Sequence, residues 1–477
     1  MRKKAAERGE AGRLLSSSNR IILGLVCGHT ALLLLFVFWR FIDADEGFYL
    51  SAAQQVAQGG LLYHDFFFPQ MPFLPSLMSL VAGNDFTTLY LSRLLGVIPA
   101  VLTLLLFVRI VASLETDRRV AAMAIGIYVC SGLVLAWHSP AKTYAWTDLF
   151  LLVSYWGVVK LGESRHQNWL VVSALALAMA INFRLVLIAA IIPYSYCLWR
   201  LKRSIRIVPL MISLCFIASI SAPTLYLYFI SPDHFLFNNL GFHLMRDPSL
   251  TFWLSIWQRT LTMAKLLVNP QILISELLFI VALVKLRREG SLGFDAGMRS
   301  VTPHVTAMLF GLTIAFAYLV PSPILQQYFV QAFPFFVIAS IPTLKHLLSE
   351  HRVLRRWSNR SIVRILAAVY VLGLAPYFVL YLGAVREDDS AYRLENIRKL
   401  CAFVKNHPDL GPILSEWAGV VPLSGRESIP GLEFVGFDYP LRLTDSAKRA
   451  FHLPVNDELR QALRDRIQGH LIERKHP

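Results

Sequence analysis

Charge is scarce in this chain. Only 16% of its 477 residues are Asp, Glu, Lys or Arg, against about a quarter in a soluble globular domain. With 55% hydrophobic residues and a mean hydropathy of +0.52, that shortage excludes a cytosolic enzyme, a disordered chain and a fibrous protein. Cysteine is sparse as well. The five present (Cys27, Cys130, Cys197, Cys215, Cys401) form no CxxC pair, so neither a disulfide framework nor a zinc motif is expected. The histidines are scattered without metal-ligand spacing. There is no internal repeat and no pair of interrupted helices of the transporter kind. Lys and Arg are missing altogether between Arg40 and Arg93.

What the chain has is long apolar runs. A membrane span needs about 20 apolar residues, fewer where neighbours shelter it. Runs at 21–41, 89–111, 120–137, 144–161, 169–183, 185–199, 207–230, 271–284, 305–320, 328–344 and 362–382 predict a polytopic all-α membrane protein with about eleven transmembrane helices. Around Asn182-Phe183-Arg184 two short helices and one broken span are both open readings. The net charge of +15 would suit nucleic acid, but its distribution points elsewhere, and no nucleic-acid partner is expected. The N-terminal tail is basic, and so are Arg118-Arg119, Lys160 with Arg165, and the stretches 200–206, 285–288 and 345–364. The intervening loops are poor in base. By the positive-inside bias the tail is cytoplasmic, and an odd number of spans leaves the C-terminal part outside.

The expected organisation is therefore a cytoplasmic tail at 1–20, a transmembrane domain at 21–384 and an extracytoplasmic domain at 385–477. The first span is too long for a signal peptide and is expected to stay as an anchor. In the C-terminal part, 392–405 and 457–471 have amphipathic helical spacing, while Ile413-Leu414, Val420-Val421 and Phe434-Val435 are short and strand-like. A small α/β domain is expected there. Residues 66–68, 71–81 and 252–257 read as apolar segments, most of them interfacial helices lying on the membrane surface in the outer loops.

The base-free loop holds Asp43, Asp45, Glu46, Asp65 and Asp85. Tyr49, Ala52, Ala53 and Val56 keep helical spacing after the acidic trio, and Gly59-Gly60 stops the helix. Asp43 and Glu46 have the spacing of a capping box, which accounts for those two acids and leaves Asp45 over. A carboxylate at a helix N-terminus stays ionised, so Asp45 is a candidate general base. Asp45 and Glu46 could hold a divalent ion with one more ligand, though nothing demands one.

Asp45-Glu46 directly after the first span, then a Tyr-containing helix, a Gly-Gly turn, Tyr63-His-Asp65 and a Pro-rich segment, together resemble the GT-C membrane glycosyltransferases. The bacterial relatives of protein O-mannosyltransferases and of lipid A aminoarabinose transferase are the branch it is most similar to. Ser92-Arg93-Leu-Leu95, Lys142-Thr-Tyr144 and the segment from Gln327-Tyr328 to Pro334 are similar to further motifs of that group. The resemblance implies a sugar donor carried on a polyprenyl phosphate, an acceptor (glycan, lipid or protein) at the outer face, and Asp45 as base with Glu46 and Asp43 beside it. A bacterial inner or cell membrane is the implied location. Two positions depart from the family: Gln327 stands where Arg is frequent, and His64 is the only cation in the Pro-rich part of the loop.

Transfer from a lipid phosphate has a good leaving group, so one base suffices and no second carboxylate is needed as acid. The phosphate needs cations on the outer side. Lys142, Arg184 and Arg246 are the candidates, with membrane anchoring, snorkelling and a local pair with Asp247 as their ordinary alternatives. Tyr63, Asp65, Tyr144 and Tyr328 are candidate sugar or acceptor contacts; for the tyrosines the ordinary alternative is the interfacial aromatic belt. The rival function is a transporter or flippase for a lipid-linked saccharide, which would place ionisable groups near mid-membrane.

Overall fold

The apolar runs become helices because a backbone out of reach of water must satisfy its polar groups within the segment. The computed structural model describes residues 2–202, 205–245, 252–288, 302–320, 324–349, 359–383, 392–429 and 443–453, with single positions at 433 and between 455 and 464. Among the described residues, four helices are long and apolar enough to cross a bilayer: Arg20–Trp39, Thr87–Leu114, Ile207–Ile230 and Val363–Gly383. The pair Arg118–Val129 and Gly132–His138, bent by 51°, qualifies as a fifth if it is one span. Asn168–Phe183, Leu185–Leu201, Pro303–Ala317 and Phe333–Leu348 are apolar but shorter. The expected runs fall on helical residues, yet length and composition alone carry only these four or five as spans. The others are short or, like Tyr144–Ser164 with Asp148, Lys160 and Glu163, charged.

The chain divides into two units, Met1–Phe41 with Arg93–Ala222 and Phe252–Asp389, and Ile42–Ser92 with Pro223–Thr251 and Ser390–Pro477. The first unit holds the apolar core, built from Phe107, Tyr128, Tyr155, Phe310, Phe335 and their neighbours. Among the described residues its most extensive helix pair is Tyr144–Ser164 against Asn168–Phe183. The approach is possible because Gly157 faces Ser173: a Cβ at Gly157 would lie 2.8 Å from that of Ser173. At the open position noted in the sequence, the chain makes two helical pieces. Arg184 is extended (φ −156°, ψ 109°), and Leu185–Ala190 follows as a 3₁₀ turn.

The bend after Val129 strands backbone groups inside the unit, and side chains from distant elements take them up. Gln271 accepts from the N–H of Gly132 (2.8 Å) and donates to the carbonyls of Cys130 (2.6 Å) and Tyr370 (2.7 Å). The Tyr370 hydroxyl donates to the Ile127 carbonyl (2.7 Å), and His29 Nδ1 bonds the Val129 carbonyl (2.8 Å).

The second unit begins with the helix Ala44–Ala57, which a Gly59 turn at φ +95° ends. Its core is aromatic. Phe48 stacks on Phe68 (4.7 Å between centroids), Tyr63 meets Phe235 edge-on (5.0 Å) and Phe237 stacks on Phe451 (3.9 Å). Phe66, Phe67 and Phe68, expected on the membrane surface, are buried in this core instead, because the loop folds back over the Ala44–Ala57 helix. Phe73–Met78 is a helix, as is Phe252–Val268 of the first unit, whose Trp253 and Trp257 are exposed.

In the C-terminal part, Leu394–Asn406 is an amphipathic helix that buries Ile397, Cys401 and Val404. Val420-Val421, expected as a strand, lies in the short buried helix Val420–Ser424. Pro422 is tolerated there because the first turn of a helix needs no N–H from it. Ile413 pairs with Ser428 in a single isolated bridge, and no sheet occurs among the described residues. The segments 434–435 and 457–471 lie outside the described residues, apart from single positions in the latter.

Candidate active site

The acidic turn of the second unit is built on a capping box. Asp43 is the N-cap (φ −78°, ψ 139°), and its Oδ1 accepts from the N–H of Asp45 at 3.0 Å. Its own N–H donates to Glu46 Oε2 at 2.9 Å, and Glu46 is wholly buried. Two of the three acids are thus engaged in starting the helix. Asp45 stands exposed on the first turn, at the positive end of the helix dipole.

Further along the loop, Asp65 Oδ2 accepts from the Leu61 N–H (2.7 Å) and Oδ1 meets His64 Nδ1 (2.6 Å). The backbone N–H first and His64 second hold this carboxyl below its ordinary value. Tyr63 is fully buried at φ 69°, and its hydroxyl donates to the Gln70 carbonyl (2.7 Å). Burial pushes its phenol upward. Both residues are bonded into the loop's own fold.

The first unit contains a basic and aromatic cluster. The Arg184 guanidinium lies 4.7 Å from the ring centre of Tyr144, 5.1 Å from that of Tyr328 and 5.4 Å from that of Tyr318. Its Nη1 donates to Thr143 Oγ1 at 3.3 Å. Arg184 reaches the cluster because the chain is extended there, between two helices. Lys142, buried, places Nζ 5.0 Å over the Trp137 ring. Behind the tyrosines, the Tyr318 hydroxyl donates to Gln331 and the Gln331 amide donates to Thr147. Thr147 in turn donates to the carbonyls of Thr143 (3.0 Å) and Tyr144 (2.9 Å). His138 and Asp148 form a wholly buried pair at 2.8 Å.

Of the candidates read from the sequence, Tyr144, Arg184 and Tyr328 come together, with Lys142 two residues from Tyr144. Asp43, Asp45 and Glu46 share one turn. Arg246 lies outside the described residues. Tyr318 and Gln331 were not singled out. Tyr318 sits at the end of an apolar run, where a tyrosine reads as belt, and Gln331 is inside a motif valued for its other residues. Among the described residues no group of three or more His, Cys, Asp or Glu is placed to hold a metal ion.

No family model matches the chain, and no curated protein matches it. Solved structures do. ArnT from Cupriavidus metallidurans bound to undecaprenyl phosphate superposes with a TM-score of 0.62 over 92% of this chain and 90% of its own, at 13% identity. The same enzyme in the apo state gives 0.57 over 93% and 90%, also at 13%. The chain shares its fold with these two structures, whose fold is of the GT-C type. Arabinosyltransferase EmbB from Mycobacterium smegmatis is more distant, with a TM-score of 0.47 over 79% of this chain and 38% of its own at 14% identity. With its apolar helices, a chain of GT-C fold is an integral membrane protein.

Proposed function

We propose that this protein is a membrane glycosyltransferase that moves a sugar from a polyprenyl-phosphate donor to an acceptor hydroxyl at the extracytoplasmic face. The observation that carries the proposal is the likeness in fold, over nine tenths of both chains, to an enzyme solved with undecaprenyl phosphate. The residues fit that chemistry. The anomeric carbon breaks its bond to the phosphate oxygen and bonds the acceptor oxygen, the acceptor proton passes to Asp45, and the polyprenyl phosphate leaves. Lys142 and Arg184 are assigned to the phosphate, whose charge grows as the bond breaks. Tyr144 and Tyr328 hold Arg184, and Tyr63 and Asp65 keep the acidic loop in shape. Asp43 and Glu46 start the helix on which Asp45 stands. The remaining assignments are about eleven spans, a cytoplasmic N-terminus and an extracytoplasmic C-terminal part. The flippase reading rests on one observation, the buried His138–Asp148 pair, since ionisable groups inside a membrane protein often mark a transport path.

The test is Asp45→Asn in membranes supplied with polyprenyl-phosphate sugars, with expression and fold checked alongside. Loss of transfer by about 10²- to 10⁴-fold is expected for removal of a general base. Undiminished transfer would remove Asp45 from the mechanism.

A further inference from the structure

The C-terminal residues of the second unit do not simply follow the membrane domain; they hold the acidic turn. Trp417 is buried, and its indole Nε1–H donates to the carbonyl of Ala44 at 3.1 Å. That carbonyl belongs to the peptide whose nitrogen is the Asp45 N–H, and this N–H is itself bonded to Asp43 Oδ1 at 3.0 Å. The peptide that carries Asp45 is therefore pinned at both ends, by Trp417 and by the N-cap. The indole comes this close because residue 47 is glycine. A Cβ there would lie 2.5 Å from Trp417 Cε2 and Nε1 and 2.6 Å from the Gly419 nitrogen. Ser415 Oγ donates to the Trp417 carbonyl at 2.9 Å and fixes the loop behind the ring. The neighbouring backbone closes the same corner, since the Ile42 N–H donates to the Tyr392 carbonyl at 2.8 Å.

The geometry points to Trp417 as a positioning residue that fixes the Asp45 carboxylate from the C-terminal segment, an inference that rests on the proposed role of Asp45 as base. A general base must meet the proton it takes within hydrogen-bond reach, and a misplacement of about 1 Å can cost on the order of 100-fold in rate. A rocking 44–45 peptide would carry Asp45 through displacements of that size. The effect belongs to the chemical step and not to donor binding.

Trp417→Phe keeps the ring and removes the N–H; Gly47→Ala keeps the indole and forces it away. Both should lower kcat about tenfold with the donor KM within twofold, and both should raise amide exchange at residues 44–48 while the rest of the chain exchanges as before. In an Asp45→Asn background Trp417→Phe should have no further effect on the residual rate. An unchanged kcat in Trp417→Phe, or the same fold loss with and without Asp45, overturns the inference while an inactive Asp45→Asn leaves the base reading standing. Full activity of Asp45→Asn overturns both. Should Trp417→Phe fail to fold, Gly47→Ala decides alone by the same readouts.

Discussion

A guanidinium ringed by three phenols is an electrostatic device as well as a packing one. Each ring face attracts the cation, by about 0.5–2 kcal/mol depending on desolvation, and the planar group fits between Tyr144, Tyr328 and Tyr318 as an ammonium would not. Arg184→Lys keeps the charge and loses the fit. It is expected to lower kcat/KM for the donor about tenfold and to leave the acceptor KM unchanged, which steady-state titration of each substrate in turn will check. This cluster was partly legible beforehand. Tyr144, Arg184 and Tyr328 lie near motifs or at odds with their apolar surroundings, and such residues announce themselves in a sequence. Tyr318 does not, because a tyrosine at the end of an apolar run carries no information about what it faces. Asp43 and Glu46 were legible as a cap because the box is a local pattern, four residues long, and the backbone angles at Asp43 bear it out.

At the scale of elements, apolar runs translate into helices almost without loss, while their breaks depend on partners far off in the chain. The bend after Val129 is held by Gln271, which serves three backbone groups at once. Gln271→Leu leaves the Gly132 N–H and the Cys130 carbonyl without that partner, at about 1–3 kcal/mol for each group left unsatisfied. A lowered melting temperature in detergent is expected, with the far-ultraviolet helical signal retained below it. A melting temperature equal to the parent's would show that the bend is held otherwise. Gln271 looked in the sequence like the edge of a short span, and its true partners are 139 and 99 residues away. Val420-Val421 failed in the opposite way. Two β-branched residues favour a strand locally, but burial of all five residues of Val420–Ser424 decided for a helical turn.

For the whole molecule, the charge distribution and the fold agree on a membrane protein, and the second unit brings the first loop and the C-terminal segment together. Beyond Trp417, His452 Nε2 bonds the His64 carbonyl at 2.9 Å, and His234 stacks on the His452 ring at 5.5 Å. Asp65 and Glu433 also act on this histidine. Burial first, then the neighbouring His234, holds His452 below the ordinary histidine value. A lowered histidine pKa means that the fold favours the neutral ring, so its stability contribution is complete above the unfolded value of about 6.5 and is lost as pH falls below it. Protease cleavage within 443–453 is therefore expected to accelerate as pH drops from about 7 to 5. In His452→Asn, which tolerates the same positive φ and cannot charge, that acceleration should disappear. None of this association was visible in the sequence, where residues 64 and 452 are 388 apart.

The bend held by Gln271 also says something about how the protein is made. The backbone groups at Cys130 and Gly132 are synthesised long before Gln271 exists, since 139 residues separate the Gly132 donor from the Gln271 acceptor. At about 5–20 residues per second of synthesis the wait is on the order of ten seconds, and the Tyr370 carbonyl that completes the junction is made later still. During biogenesis the two half-helices must therefore be sheltered by water, by lipid headgroups or by the insertion machinery, and the first unit can lock into its mature packing only after its late helices arrive.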